Sequence, residues 1–106
     1  MDHKTQTIIS ELHLRFKSLY GSRLVNMVLY GSQARGDADP GSDIDVLLVL
    51  EGTVSPGEEI ARTGKIVADL SLEHSVVISC VFVSAQRFAV EQSPLLLNVR
   101  KEGVAV

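Results

Sequence analysis

Apolar residues recur along the chain at two spacings, and the change from one to the other marks out its elements. From residue 5 to 20, Ile8, Ile9, Leu12, Phe16 and Leu19 stand three or four apart, the spacing of one buried helix face. Thr5 is the candidate cap and Gly21 the stop. Leu24–Tyr30 and Ile44–Leu50 are short apolar runs that read as strands. Ser55, Pro56 and Glu58 form a helix start with serine at the cap, proline first and glutamate third. Ile60, Val67 and Leu70 then mark the buried stripe of a helix to about Glu73, with Glu58, Glu59 and Arg62 on a solvated face. Gly64 interrupts that helix at a cost of about 1 kcal/mol relative to alanine, which close packing against a sheet would explain. Residues 76–83, VVISCVFV, have the β-branched, nearly unbroken apolar character of a central strand covered on both sides. Ser84 opens a short helix to about Ala89. Ser93 and Pro94 open a last one, LLLNVRKE, which Gly103 ends before a short apolar tail.

Length and composition narrow what such a chain can do. At 106 residues it is expected to form one domain, 1–106, with a real core. Hydrophobic residues make up 45% without a run approaching a membrane span, so a soluble, non-membrane protein is expected. No basic segment followed by an apolar one opens the chain, and the single cysteine, Cys80, falls inside an apolar run. A buried thiol in a reduced, cytoplasmic setting follows. The formal net charge is −3 and the lysines and arginines are scattered, which argues against stand-alone binding of a long nucleic acid. A nucleoside triphosphate neutralised by a metal remains compatible with that balance.

The chemistry concentrates between the first two strands, in LVNMVLYGSQARGDADPGSDIDVLLVL. Residues two apart on a strand share a face, so Asp43 and Asp45 point the same way. Two carboxylates that close repel each other, and burial raises the cost of both charges. A cation belongs between them, and magnesium takes such oxygen ligands together with substrate phosphates. Gly31 permits a tight turn and a close approach to a ligand. Ser32 is a preferred helix cap, and the N–H groups of such a turn face an anion. With Ala34 and Arg35 behind them, these residues read as the first turn of a short helix aimed at a phosphate. A plain helix cap and solvated turn, DADPGSD, accounts for Asp37, Asp39, Pro40 and Gly41. It does not account for aspartates alternating into an apolar strand. For Gln33 and Arg35 either role stays open.

GSQARG at 31–36 followed by SDID at 42–45 resembles the signature of the DNA polymerase beta type nucleotidyltransferases, in particular the minimal nucleotidyltransferases. The resemblance extends over nearly the whole chain. It implies a polymerase-beta-like α/β (α+β) fold, a small mixed β-sheet with helices mainly on one face. It also implies nucleotide binding at Gly31, Ser32 and Arg35, with Mg2+ held by the catalytic pair Asp43 and Asp45. The implied activity moves a nucleotidyl group, adenylyl from ATP, to an acceptor hydroxyl. Small members of the family pair with helical HEPN-type partners in bacterial toxin-antitoxin systems, so an antitoxin role is implied.

The chain departs from the family at one place. Fully equipped members carry a third carboxylate on the next strand, and aligning VFVSAQRF by its exit puts Ser79 there. A neutral hydroxyl is a weak metal ligand, and losing one anchor of a two-metal arrangement hurts the entering oxygen. A degraded nucleotide- or partner-binding module of the same fold is therefore the alternative to an enzyme. Leu47 and Val49 continue the face of Asp43 and Asp45, while Val77, Val81 and Val83 flank Ser79. With helices on the opposite side this apolar face would stay open and call for self-association, as a homodimer, or for a hetero-complex. His3 and His13 read as solvated, and His74 as favouring a helix C-terminal dipole.

Overall fold

The alternation of apolar runs and amphipathic stretches resolves into one mixed sheet with helices on both faces. The structure, a computed structural model, describes residues 2–39 and 41–106; Pro40, placed by the sequence in the 37–43 turn, lies outside the described residues. The strands are β1 (Leu24–Tyr30), β2 (Ile44–Leu50), β3 (Ile78–Ser84) and β4 (Val104–Ala105), in the order β3-β2-β1-β4. β1 runs antiparallel to β2 and β4, whereas β3 is parallel to β2. A parallel pair needs a long crossover, which helix α3 (Pro56–His74) supplies.

Alternation along the strands sends each set of side chains to its own layer. Met27, Leu29, Val46, Leu48 and Phe82 meet the buried stripe of α1 (His3–Tyr20) and Leu70 of α3. Val28, Leu47, Val49 and Val83 meet Leu96 and Val99 of α5 (Pro94–Glu102), with Ala85 and Phe88 of α4 (Ala85–Val90) beside them. The long helices thus lie on one face and the two short ones on the other. The apolar face expected to stay open is closed, because the C-terminal helices fold back over it and leave Leu47 and Val49 buried.

Two other expectations shift in the plane of the sheet. β3 is an edge strand, not a central one; its apolar run reflects cover on both faces, since β2 alone borders it. The short tail after Gly103 is not loose either. It becomes β4, paired with Val28 and Leu29, and the N–H of Val106 donates to the carbonyl of Met27 at 2.9 Å.

Helix ends and faces also move by a residue or more. Asp2, rather than Thr5, caps α1, its carboxylate accepting from the Thr5 N–H at 2.7 Å. Tyr20 takes the buried place expected of Leu19. Ser55 starts α3 without a side-chain capping bond; its carbonyl accepts from the Glu59 N–H at 3.1 Å. The buried stripe of α3 runs through Glu59, Thr63 and Leu70, while Ile60 is 58% exposed. Glu59 is thus not on a solvated face. It is 2% exposed and accepts from Tyr20 Oη at 2.7 Å and from Arg62 Nε at 3.0 Å. Burial pushes its carboxyl up, but the bonds from Tyr20 and Arg62 more than reverse this and hold it below the ordinary glutamate range.

Two outcomes follow. Gly64 is exposed, and an added methyl group would meet nothing within 4 Å, so the glycine serves no packing against the sheet. Gly64→Ala is expected to stabilise the protein by about 1 kcal/mol, raising Tm by roughly 4 °C in calorimetry. A carboxyl held below its unfolded value of 4.5 contributes stability that is present above that value and lost as pH falls through the folded one. Glu59→Gln should therefore be less stable than the parent at neutral pH, by about 1–2 kcal/mol. Its Tm should also fall less steeply between about pH 5 and 3.

Candidate functional site

Three strands bring their ends together where β1 gives way to a turn. The register sets Tyr30 of β1 opposite Asp45 of β2, and Asp45 opposite Ser79 of β3, so these side chains form a row across the sheet. β1 stops at Tyr30 because the chain turns at once through Gly31 into the five-residue helix α2 (Gly31–Arg35). Gly31 has φ +73°, and a methyl group built on it would lie 2.6 Å from Asp45 Oδ2. Glycine is required there twice, by conformation and by the carboxylate that fills the space where a β-carbon would stand.

Asp45 is half-buried, and Asp43, one residue before β2 begins, is exposed. Burial first, and then the charge of Asp43, push the Asp45 carboxyl above the ordinary aspartate range. The Tyr30 phenol is pushed up in the same way, by burial and then by the charge of Asp45. Among the described residues, no side chain donates a hydrogen bond to Asp43 or Asp45 and no cation pairs with either. Two interacting carboxylates without a protein counter-charge, beside a bend that admits a close ligand, fit a hard divalent ion with phosphate oxygens.

The other candidate residues are placed as follows. Ser32 is half-buried in α2, next to Gly31. Ser79 is half-buried beside Asp45 and brings a hydroxyl to the row. Arg35 is exposed and bound to Asp37 at 3.1 Å and to Glu102 of α5 at 3.2 Å, so its guanidinium is already engaged by two acids. Gln33 turns from α2 toward the loop: Nε2 donates to the Ser42 carbonyl and Oε1 accepts from Thr5 Oγ1, both at 3.3 Å.

Sequence reasoning passed over two features. Tyr30 joins the row, and its period-two relation to Val28 was the available signal. His74 does more than face a helix dipole, since its Nε2 lies 3.4 Å from Glu11 and 3.9 Å from Glu73. That trio ties α1 to α3 on the side of the sheet opposite Asp45; no spacing in the chain announces it, Glu11 and His74 being 63 residues apart.

Comparison with known proteins gives the following. A family model described as a nucleotidyltransferase domain matches residues 9–101. A "putative protein adenylyltransferase" of Methanocaldococcus jannaschii is 32% identical over 101 residues, 94% of this chain and 60% of its own length. The chain therefore spans 60% of that relative. Among solved structures, a toxin-antitoxin with AMP-PNP superposes with a TM-score of 0.62 at 16% identity, covering 89% of this chain and 68% of that one. A "putative nucleotidyltransferase" of Sulfolobus solfataricus gives 0.60 at 18% identity, covering 99% of this chain and 86% of that one. At such identities the superpositions speak for the fold.

The contact between Gly31 and Asp45 can be tested by adding one methyl group. Gly31→Ala is expected to lower stability in urea by about 2 kcal/mol or more, through left-handed backbone strain and the clash together. Combining it with Asp45→Ala should return the steric part and leave the strain, a non-additivity readable in a double-mutant cycle.

Proposed function

Because the chain belongs to the nucleotidyltransferase domain family, we propose that it binds a nucleoside triphosphate with magnesium and passes the nucleotidyl group, adenylyl from ATP, to an acceptor hydroxyl. The observation that carries this reading is the Asp45 carboxylate pressed against the Gly31 bend, with Asp43 two residues before it at the same strand end. Gly31 and Ser32 would seat the phosphates, and Asp43 and Asp45 would hold the ion. When bound, magnesium supplies neutralisation of the triphosphate charge and polarisation of the phosphoryl oxygens. Arg35 would reach the phosphates on leaving Asp37 and Glu102. The acceptor oxygen bonds to the α-phosphorus, pyrophosphate leaves, and the acceptor proton must find a base.

That last requirement favours a second reading. Ser79 occupies the place beside Asp45 where a carboxylate would receive the proton and complete an ion site. A hydroxyl does neither well, so the protein binds nucleotide better than it turns it over; in the limit it is a nucleotide- or partner-binding module. The protein acceptor named for the Methanocaldococcus relative, and the toxin-antitoxin title of a structural neighbour, support an acceptor on a protein partner. We assign that role to a HEPN-type helical partner in the cytoplasm, with this chain as the antitoxin half.

The test uses α-labelled ATP and magnesium, with and without the protein encoded beside this one. Label should appear on the partner, and Asp43→Asn should reduce it by about 100-fold or more, since loss of a direct ligand costs at least as much as loss of a residue that merely supports one. Ser79→Asp should raise the rate severalfold. Magnesium-dependent binding without transfer selects the nucleotide-binding module, and no magnesium-dependent nucleotide binding at all overturns both the enzyme and that module, leaving partner binding alone.

A further inference from the structure

Asp45 lies within β2, whereas Asp43 stands one residue before that strand begins. Asp43 is exposed and closes the loop after α2, in which Gly36 and Gly41 have φ of 80° and 82°. Of the described residues between α2 and β2 only Ala38 and Ser42 are half-buried and the rest are exposed, so packing does little to hold this loop. Within the loop the backbone bonds are local, Asp37 N–H to the Ser32 carbonyl at 3.2 Å and Ser42 N–H to the Asp39 carbonyl at 3.0 Å, while the peptide after Asp43 is fixed by Ile44 N–H donating to the Val77 carbonyl at 2.9 Å. At the end that carries Asp43, one side chain reaches in among the described residues. Gln33 Nε2 donates to the carbonyl of Ser42, the residue immediately before Asp43, at 3.3 Å.

The other end of that amide is anchored in turn. Gln33 Oε1 accepts from Thr5 Oγ1 at 3.3 Å, and Thr5 is 4% exposed in the first turn of α1. The Thr5 N–H is itself bonded to the Asp2 carboxylate at 2.7 Å. A continuous set of hydrogen bonds therefore runs from the start of α1, through the helix that begins with Gly31 and Ser32, to the backbone just before Asp43.

We propose that Gln33 is a positioning residue that sets Asp43 against Asp45 and the Gly31 bend, so that the divalent-ion site is arranged before any ion arrives. The inference rests on reading Asp43 and Asp45 as the ion's ligands. Two like charges drive a loosely held carboxylate away from its neighbour, and an ion that must then order the loop binds more weakly for it. The Ser42 tie removes that cost. Gln33 suits the task because one amide offers a donor to the loop and an acceptor to α1.

Gln33→Met keeps the length of the side chain and removes both bonds. Three measurements decide: thermal unfolding, amide hydrogen exchange at residues 41–43 in metal-free protein, and calorimetric binding of a non-hydrolysable ATP analogue with and without magnesium. The expected result is a Tm within about 2 °C of the parent, severalfold faster exchange confined to the loop, and magnesium-dependent binding weakened about tenfold. Binding without magnesium should change little. Thr5→Val, which breaks only the far arm, should show the same pattern in smaller measure. Unchanged loop exchange overturns the proposal, as does a fall in Tm with no separate loss of magnesium dependence. Asp43→Asn separates this from the reading beneath it. If that variant keeps full magnesium dependence, the ligand assignment fails, whereas its loss beside an unaffected Gln33→Met defeats only the positioning role.

Discussion

The Asp45 carboxylate filling the space where a β-carbon of residue 31 would stand is the constraint on which the rest depends. β1 and β2 are antiparallel, with Tyr30 opposite Asp45, so the chain leaving β1 must cross the face on which that acid stands. Only a residue without a β-carbon passes there, and only one tolerant of φ +73° makes the turn. β2, bordered by strands on both sides and buried from Val46 to Leu50, gives the acid a rigid base. Bend and acid are thus locked together by backbone geometry, while Asp43, one residue before β2, is exposed.

Much of this was legible in the chain. The limits of β1 and β2 follow from apolar runs cut by glycine and aspartate, and the bend and both acids lie on one continuous stretch. Position 79 follows from aligning the exit of the third strand, and the register sets it beside Asp45. What periodicity reports, however, is whether a face is covered, not which strand lies next in the plane. That is why β3 reads as central when it is an edge, and why the two residues of β4 read as a tail.

Charged positions show the same limit more sharply. Glu59 reads as solvated because a glutamate is rarely buried without a partner, and its partner Tyr20 lies 39 residues away. Its burial rotates the stripe of α3 and leaves Ile60 outside. Likewise, the role of Arg35 stays open in the sequence, and its pairing with Glu102, 67 residues on, has no local signal. The closing of the second face has a similar origin. Leu96 and Val99 have helical spacing in the sequence, but which side of the sheet they meet depends on the path of the connection before them.

The sheet order also bears on which parts of the site can change separately. The bend and the acid pair belong to one local strand-turn-strand unit, whereas position 79 sits on a rim strand delivered by a separate crossover helix. Position 79 is only half-buried, unlike its neighbours Ile78, Phe82 and Val83, which belong to the core. A change of side chain at position 79 can therefore alter the row beside Asp45 without touching the Gly31 bend, which is set by β1 and β2 alone.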